Sequence, residues 1–206
     1  AGAGLFVTVD GEYIKSITSD RPAGDFSRII CCRDRLMLPG LYNAHTHAAM
    51  TLFRGYGEDL PLGRWLTERI FPAEERLTEK NVYAASMLAA AEMIGAGVVS
   101  FTDMYMFCPE TARAVAETGM KANLCRPILS FDPDQPLSAN ERFTEAAALY
   151  KEWHNACSSR IKIDMSLHAE YTNTERSCRE TAEYCKSLGA NMHIHLSETK
   201  KEHEEC

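Results

Sequence analysis

Five of the seven histidines in this chain fall in short apolar runs, and four of them form two His-x-His pairs: His45 with His47 in NAHTH, and His193 with His195 in NMHIHLSE. The fifth is His168, in SLHAEY. On an extended strand, residues two apart face the same way, so each pair presents both imidazoles to one side, as a divalent ion requires of neighbouring nitrogen ligands. One such pair reads equally well as surface histidines or as hydrogen-bonded core histidines. Two pairs at the ends of similar runs shift the reading toward metal. Glu198 stands three residues past His195, where a strand would open into its loop. A carboxylate beside a metal-activated water can take its proton and pass it to a leaving group. The segment SETKKE also reads as a helix start, with Glu198 as its cap or first-turn acid.

These side chains need strands to hold them. LFVTV and EYIKSI flank Asp10-Gly11, a hairpin signal. A second β-like run follows over residues 28–47, punctuated by Pro39-Gly40. Beyond it, the apolar runs GLYNAHTH, GVVSFTDMY, KANLCRPILSF, RIKIDMSLHAEY and ANMHIHLSE alternate with helix candidates. EKNVYAASMLAAAEMIGAG ends in glycines, PETARAVAETG stops at Gly119, ANERFTEAAALYKEWHNA is strongly helix-forming, and TERSCRETAEYCKSLG runs from a threonine cap to Gly189. Strand and helix in alternation imply parallel strands joined by right-handed crossovers, in a doubly wound sheet or a (β/α)8 barrel. No GxGxxG and no GxxxxGK motif follows the first strand. The histidines instead lie at the carboxyl ends of strands, where a barrel builds its active site.

Composition narrows the partners. Of 206 residues, 45% are hydrophobic and 25% charged, as in an ordinary globular protein. The 29 acidic and 22 basic residues leave a net charge of −7, which disfavours nucleic acid and leaves a small molecule as the expected ligand. No apolar run approaches the roughly 20 residues of a membrane helix. The first residues lack a signal peptide's basic and apolar regions, so a cytoplasmic location without membrane attachment is expected. Eight cysteines, Cys31, Cys32, Cys108, Cys125, Cys157, Cys178, Cys185 and Cys206, show no CxxC spacing and are expected to be mostly reduced packing residues.

The run LPGLYNAHTHAAMTLFRGYGEDLPLGRWL, followed by FPAEERLTEKNVYAASMLAAAEMIGAGVVSFTDMY and later by HAEYT and HIHLSET, resembles the amidohydrolase superfamily. Within it, the chain is most similar to the branch of S-adenosylhomocysteine/5′-methylthioadenosine deaminases and the aminohydrolases once grouped with chlorohydrolases. That resemblance implies one divalent metal, usually zinc and sometimes iron, in a distorted (β/α)8 barrel with a small β-sandwich built from both chain ends. By the same resemblance, His45, His47 and His195 are metal ligands, Glu198 is the proton shuttle, and His168 contacts substrate. His193 is structural and Asp103 lies behind the ligands. Glu74 resembles a residue that binds ribose hydroxyls, Arg126 a guanidinium that meets a substrate carboxylate, and Trp65 packs near the pocket. The bland alternatives are a solvated helix-face acid for Glu74 and an ordinary surface arginine for Arg126. HAEYT departs from the related HxPYT form, with Glu170 in place of proline, which alters the expected loop and substrate fit.

The expected architecture is α/β: residues 1–37 as part of the β-sandwich, and residues 38–206 as the first five βα units of the barrel, truncated after strand five. A barrel of this type takes about 250 residues. The C-terminal half, with the family's strand-six histidine and strand-eight aspartate, is therefore an expected missing partner. The implied reaction is hydrolytic deamination of a purine nucleoside. Guanine, cytosine or triazine hydrolysis is the rival chemistry, and a non-catalytic fragment the rival class. Oligomeric state stays open, a homo-oligomer included.

Overall fold

The computed structural model describes residues 4–205, so Cys206 and the first three residues lie outside the described set. The chain divides into two compact units, one ending at Pro39 and the other beginning at Gly40.

In the first unit, β1 (Phe6–Asp10) and β2 (Tyr13–Thr18) pair antiparallel, with Phe6 opposite Thr18 and Asp10 opposite Tyr13. Gly11 turns the hairpin at a φ of +59°, a conformation that strains residues bearing a side chain. The extended run expected over residues 28–47 is corrected, because regular strand begins only at Leu41. From there a neighbouring strand supplies a ladder, Leu41 lying opposite Val98, whereas Pro39 has no N–H to extend it upstream.

The second unit carries the remaining strands: β3 (Leu41–Thr46), β4 (Val98–Met104), β5 (Lys121–Cys125), β6 (Pro127–Ile128), β7 (Ile161–Ile163), β8 (Met165–Ala169) and β9 (Met192–His195). They form two parallel sheets in the orders β3-β4-β5-β7 and β6-β8-β9. Only Arg126 separates β5 from β6, and only Asp164 separates β7 from β8, so the two sheets are the lower and upper parts of one wall of five strands. Spatial order follows chain order without the reversal that marks a doubly wound sheet. The wall is the beginning of a (β/α)8 barrel.

Its principal helices are α1 (Glu79–Gly95), α2 (Cys108–Thr118), α3 (Glu141–Trp153), α4 (Glu175–Leu188) and α5 (Lys200–Glu205). Thr78, Asn140 and Thr174 cap the first, third and fourth through their side chains, and Gly119 and Gly189 end α2 and α4 in the left-handed region. On α1 the buried residues Val82, Ala85, Ala89 and Ala90 recur at helical spacing, and their small side chains let the helix lie close to its neighbours. The main core joins Ala89, Phe101, Val115, Leu124, Leu149 and Ile163, and a second cluster joins Ile128, Met165, Leu167 and Cys185. Ile161, Ile163, Met165 and Leu167 thus face the helices, and strand alternation turns Asp164, Ser166 and His168 toward the barrel interior. Among the described residues no helix is long and apolar enough to cross a membrane.

Candidate metal centre

His45 is the penultimate residue of β3, His47 immediately precedes the 3-10 turn Ala48–Phe53, and His195 ends β9. One ring nitrogen from each lies within 4.8 Å of the others. Nε2 of His45 and Nε2 of His195 are 3.2 Å apart. Two nitrogens bound tetrahedrally at 2.0–2.1 Å stand about 3.4 Å from one another, so this pair matches ligands of a single ion. The second nitrogens test the fit further. Nδ1 of His47 lies 2.5 Å from the carbonyl of Met104, which can only accept, so Nδ1 carries the proton and Nε2 keeps its lone pair. Burial, reinforced by the neighbouring imidazoles, lowers the pKa of His45 and of His195 to about 4. Neutral imidazoles are what a cation needs, and the three residues fit a divalent metal ion.

Asp103 on β4 is 2% exposed and shares its strand face with Phe101, the face that packs toward the helices. Its Oδ1 accepts the Ala48 N–H at 2.5 Å, which pins the backbone directly after His47. Burial raises its pKa to about 7.

His168, on β8, places its ring centroid 5.1 Å from that of His195, and its Nδ1 lies 3.1 Å from the Thr172 hydroxyl. Burial lowers its pKa, with His47 and Arg142 adding to the effect.

Glu198 sits between β9 and α5, outside the helix. Thr199 and Glu202 cap α5 reciprocally: the Glu202 N–H reaches Thr199 Oγ1 at 3.2 Å, and the Thr199 N–H reaches Glu202 Oε2 at 2.8 Å. The capping reading of SETKKE therefore belongs to those two residues. Burial raises the pKa of Glu198, Glu202 and Glu170 push it further up, and His47 opposes them.

Glu74 ends the short helix Phe71–Glu74, reached through a π-helical turn over Leu66–Ile70. Its Oε1 accepts the Tyr105 hydroxyl at 2.7 Å, and His47 and Arg142 act on it electrostatically. Arg126, in the break between β5 and β6, is mostly buried and paired with Glu145. Trp65 donates its indole N–H to the Tyr56 carbonyl at 3.2 Å, which places it on the 56–57 loop. Histidines 45, 47, 168 and 195 are thus brought together, Glu74 and Glu198 lie within electrostatic reach of His47, and Arg126 and Trp65 hold partners of their own.

Two residues escape the sequence reading. Tyr105 follows β4, at the carboxyl end where barrel sites are built, and that position was an available signal. Arg142, in the first turn of α3, interacts with Glu74, His168, Arg126 and Glu145, and its spacing in NERFTEAA announces none of this.

The amidohydrolase family model matches residues 36–206. The chain is 41% identical over 205 residues to a 5-methylthioadenosine/S-adenosylhomocysteine deaminase of Acetivibrio thermocellus, covering 98% of this chain and 47% of that relative. It therefore spans about half the length of the curated relatives it matches. Among solved structures, an adenosine deaminase from Xanthomonas campestris with bound zinc superposes with a TM-score of 0.73 at 32% identity, over 81% of this chain and 38% of that one. An atrazine chlorohydrolase from Arthrobacter aurescens complexed with zinc reaches 0.75 at 15% identity, over 94% and 48%, a likeness of fold alone. With its parallel βα wall, its histidine cluster and a family match over residues 36–206, the chain belongs to the amidohydrolase family.

Proposed function

We propose that this chain is the N-terminal part of a metal-dependent aminohydrolase that deaminates a purine nucleoside such as S-adenosylhomocysteine or 5′-methylthioadenosine. The observation that carries the reading is the convergence of three imidazoles on one point, with Glu198 and Glu74 within electrostatic reach of His47. Support for the substrate class comes from the 41% identity to a deaminase of that name.

His45, His47 and His195 would hold the metal, with zinc as the ion of choice and iron(II) the alternative. When bound, a divalent ion acidifies a water so that it can attack near neutral pH. Glu198, its pKa raised by burial, would carry one proton of the attacking water to the ring nitrogen and the second, from the added hydroxyl, to the amino group, which leaves as ammonia while the ring keeps the oxygen. His168 orients the purine ring. The second carboxylate oxygen of Glu74 accepts from the ribose hydroxyls, while its Oε1 is occupied by Tyr105. Arg126, joined by Arg142, meets a carboxylate on the substrate's thioether arm, exchanging Glu145 for it. Trp65 packs near the pocket. Residues 1–37 contribute to a β-sandwich, a reading supported by the β1–β2 hairpin.

The test is ammonia release from a panel of amino-purine nucleosides, free amino-purines, cytosine and triazines, in the 206-residue chain and in the full-length protein supplied with zinc. Preferential turnover of nucleosides, with a raised KM and a lowered kcat/KM in Glu74→Ala, is the expected result. Preferential turnover of free bases or triazines overturns the substrate class, and no turnover of any compound overturns the enzymatic reading.

A further inference from the structure

For two of the three ligands the structure shows what holds the second ring nitrogen, whereas Nδ1 of His195 is buried without a hydrogen-bond partner among the described residues. An imidazole that binds a cation through Nε2 carries its proton on Nδ1, and that proton requires an acceptor. For His47 the acceptor is the Met104 carbonyl. For His45, on the first strand of the wall, the group at that position is a side chain from the fifth: Nε2 of His193 lies 2.8 Å from Nδ1 of His45, with ring centroids 4.9 Å apart.

We infer that His193 is a positioning residue for His45, accepting its Nδ1 proton and so committing Nε2 of His45 to the metal. The inference rests on the reading of His45 as a ligand. It gives the first histidine of the HIH motif a specific task in place of a general structural one. His193 is well placed to hold still. It pairs in register with Ser166, and both flanking β9 residues belong to the same strand ladder or core, Ile194 packing into the second cluster. With Nε2 acting as acceptor, the proton of neutral His193 itself sits on Nδ1; burial lowers the pKa of this ring, against the raising influence of Asp164. Asp164 is 6% exposed, faces the interior from the break between β7 and β8, and is held by the side-chain amide of Asn123. An imidazole thus lies against a ligand imidazole behind the metal position, an arrangement that fixes a ligand's tautomer and ring orientation. The alternative tautomer, with His193 donating to His45 Nδ1, would put the proton of neutral His45 on Nε2 and block it.

Zinc affinity of the full-length protein, measured by chelator competition, separates the possibilities, with metal-free thermal unfolding recorded alongside. His193→Leu, which removes the acceptor, is expected to weaken zinc binding 10- to 100-fold. His193→Gln, whose amide oxygen reaches the same place, is expected to bind close to wild type. In the zinc-loaded wild type, a 15N–15N coupling across the hydrogen bond, with the proton on His45 Nδ1, is expected by NMR, and this readout survives even if His193→Leu fails to fold. Wild-type protein that binds zinc while His193→Leu binds equally well, or a proton found on His45 Nε2, overturns the inference alone. Wild-type protein that binds no zinc overturns the metal reading and the inference with it.

Discussion

Nε2 of His45 and Nε2 of His195 lie 3.2 Å apart although 150 residues separate them in the chain. Neither the hairpin nor any one βα unit could bring them together. The spacing is a product of the parallel wall, which carries the first and fifth strands round to face each other.

Removing one imidazole from this set should cost most of the metal affinity. His45→Ala, His47→Ala and His195→Ala are each expected to weaken zinc binding at least about 100-fold, since three protein ligands are the usual minimum of a zinc site. His203→Ala, in α5, is the control and should bind as wild type. Isothermal titration with zinc checks the series.

Glu198→Gln separates chemistry from folding. Because Thr199 and Glu202 supply the cap of α5, the variant should keep the wild-type far-ultraviolet circular dichroism and melting temperature. Ammonia release should fall by roughly 10²- to 10⁴-fold, the range for loss of a general acid–base group. A comparable loss of helix or of thermal stability would return Glu198 to a structural role.

Tyr105→Phe removes the hydroxyl that holds Glu74 at 2.7 Å. That hydrogen bond lowers the Glu74 pKa against the upward push of burial, so the variant should raise it. Titration of the Glu74 carboxyl carbon by NMR reads the change directly, and an unchanged midpoint would show that the bond does not form in solution.

Asp103 sets a pH dependence of stability. Burial lifts its pKa from 3.8 to about 7, so the folded protein holds this proton more tightly than the unfolded chain does. Its contribution is full below about pH 4 and is lost as pH rises through about 7. Asp103→Asn keeps an oxygen for the Ala48 N–H and stays neutral throughout. Relative to wild type it should gain stability from pH 4 to pH 8, on the order of 4 kcal/mol by the pKa difference. Urea unfolding at the two pH values measures this, and any fixed cost of the new amide cancels in the comparison.

Gly40→Ala should destabilise the second unit. A Cβ there would lie 2.3 Å from Cγ1 of Val99, a side chain on the neighbouring strand β4, and relieving that overlap costs about 1–3 kcal/mol. Denaturant midpoints of the two proteins test it.

Much of the barrel was legible because its signals are local. Each helix carried its own stop or cap, as Gly119, Thr174 and Gly189 illustrate, and each strand its apolar run. Of the two glycines expected at the end of α1, Gly97 is the one in the left-handed region. His45, His47 and His195 could be picked out because strand alternation ties spacing to direction. Arg142 and the partner of His193 could not, since both depend on which side chain lies across the barrel, and nothing in NERFTEAA or HIHLSET encodes that distance. The overlong strand at residues 28–40 failed for a related reason: an apolar run becomes a strand only where a neighbour pairs with it.

The central claim is that His45, His47 and His195 form one metal site. Its most direct test is the metal content of the purified protein after equilibration with zinc and removal of excess ion, measured by elemental analysis beside a variant with all three histidines replaced by alanine. One zinc per chain in the wild type and none retained by the triple variant is the predicted result. Equal zinc in the two proteins, or none in either, would contradict it.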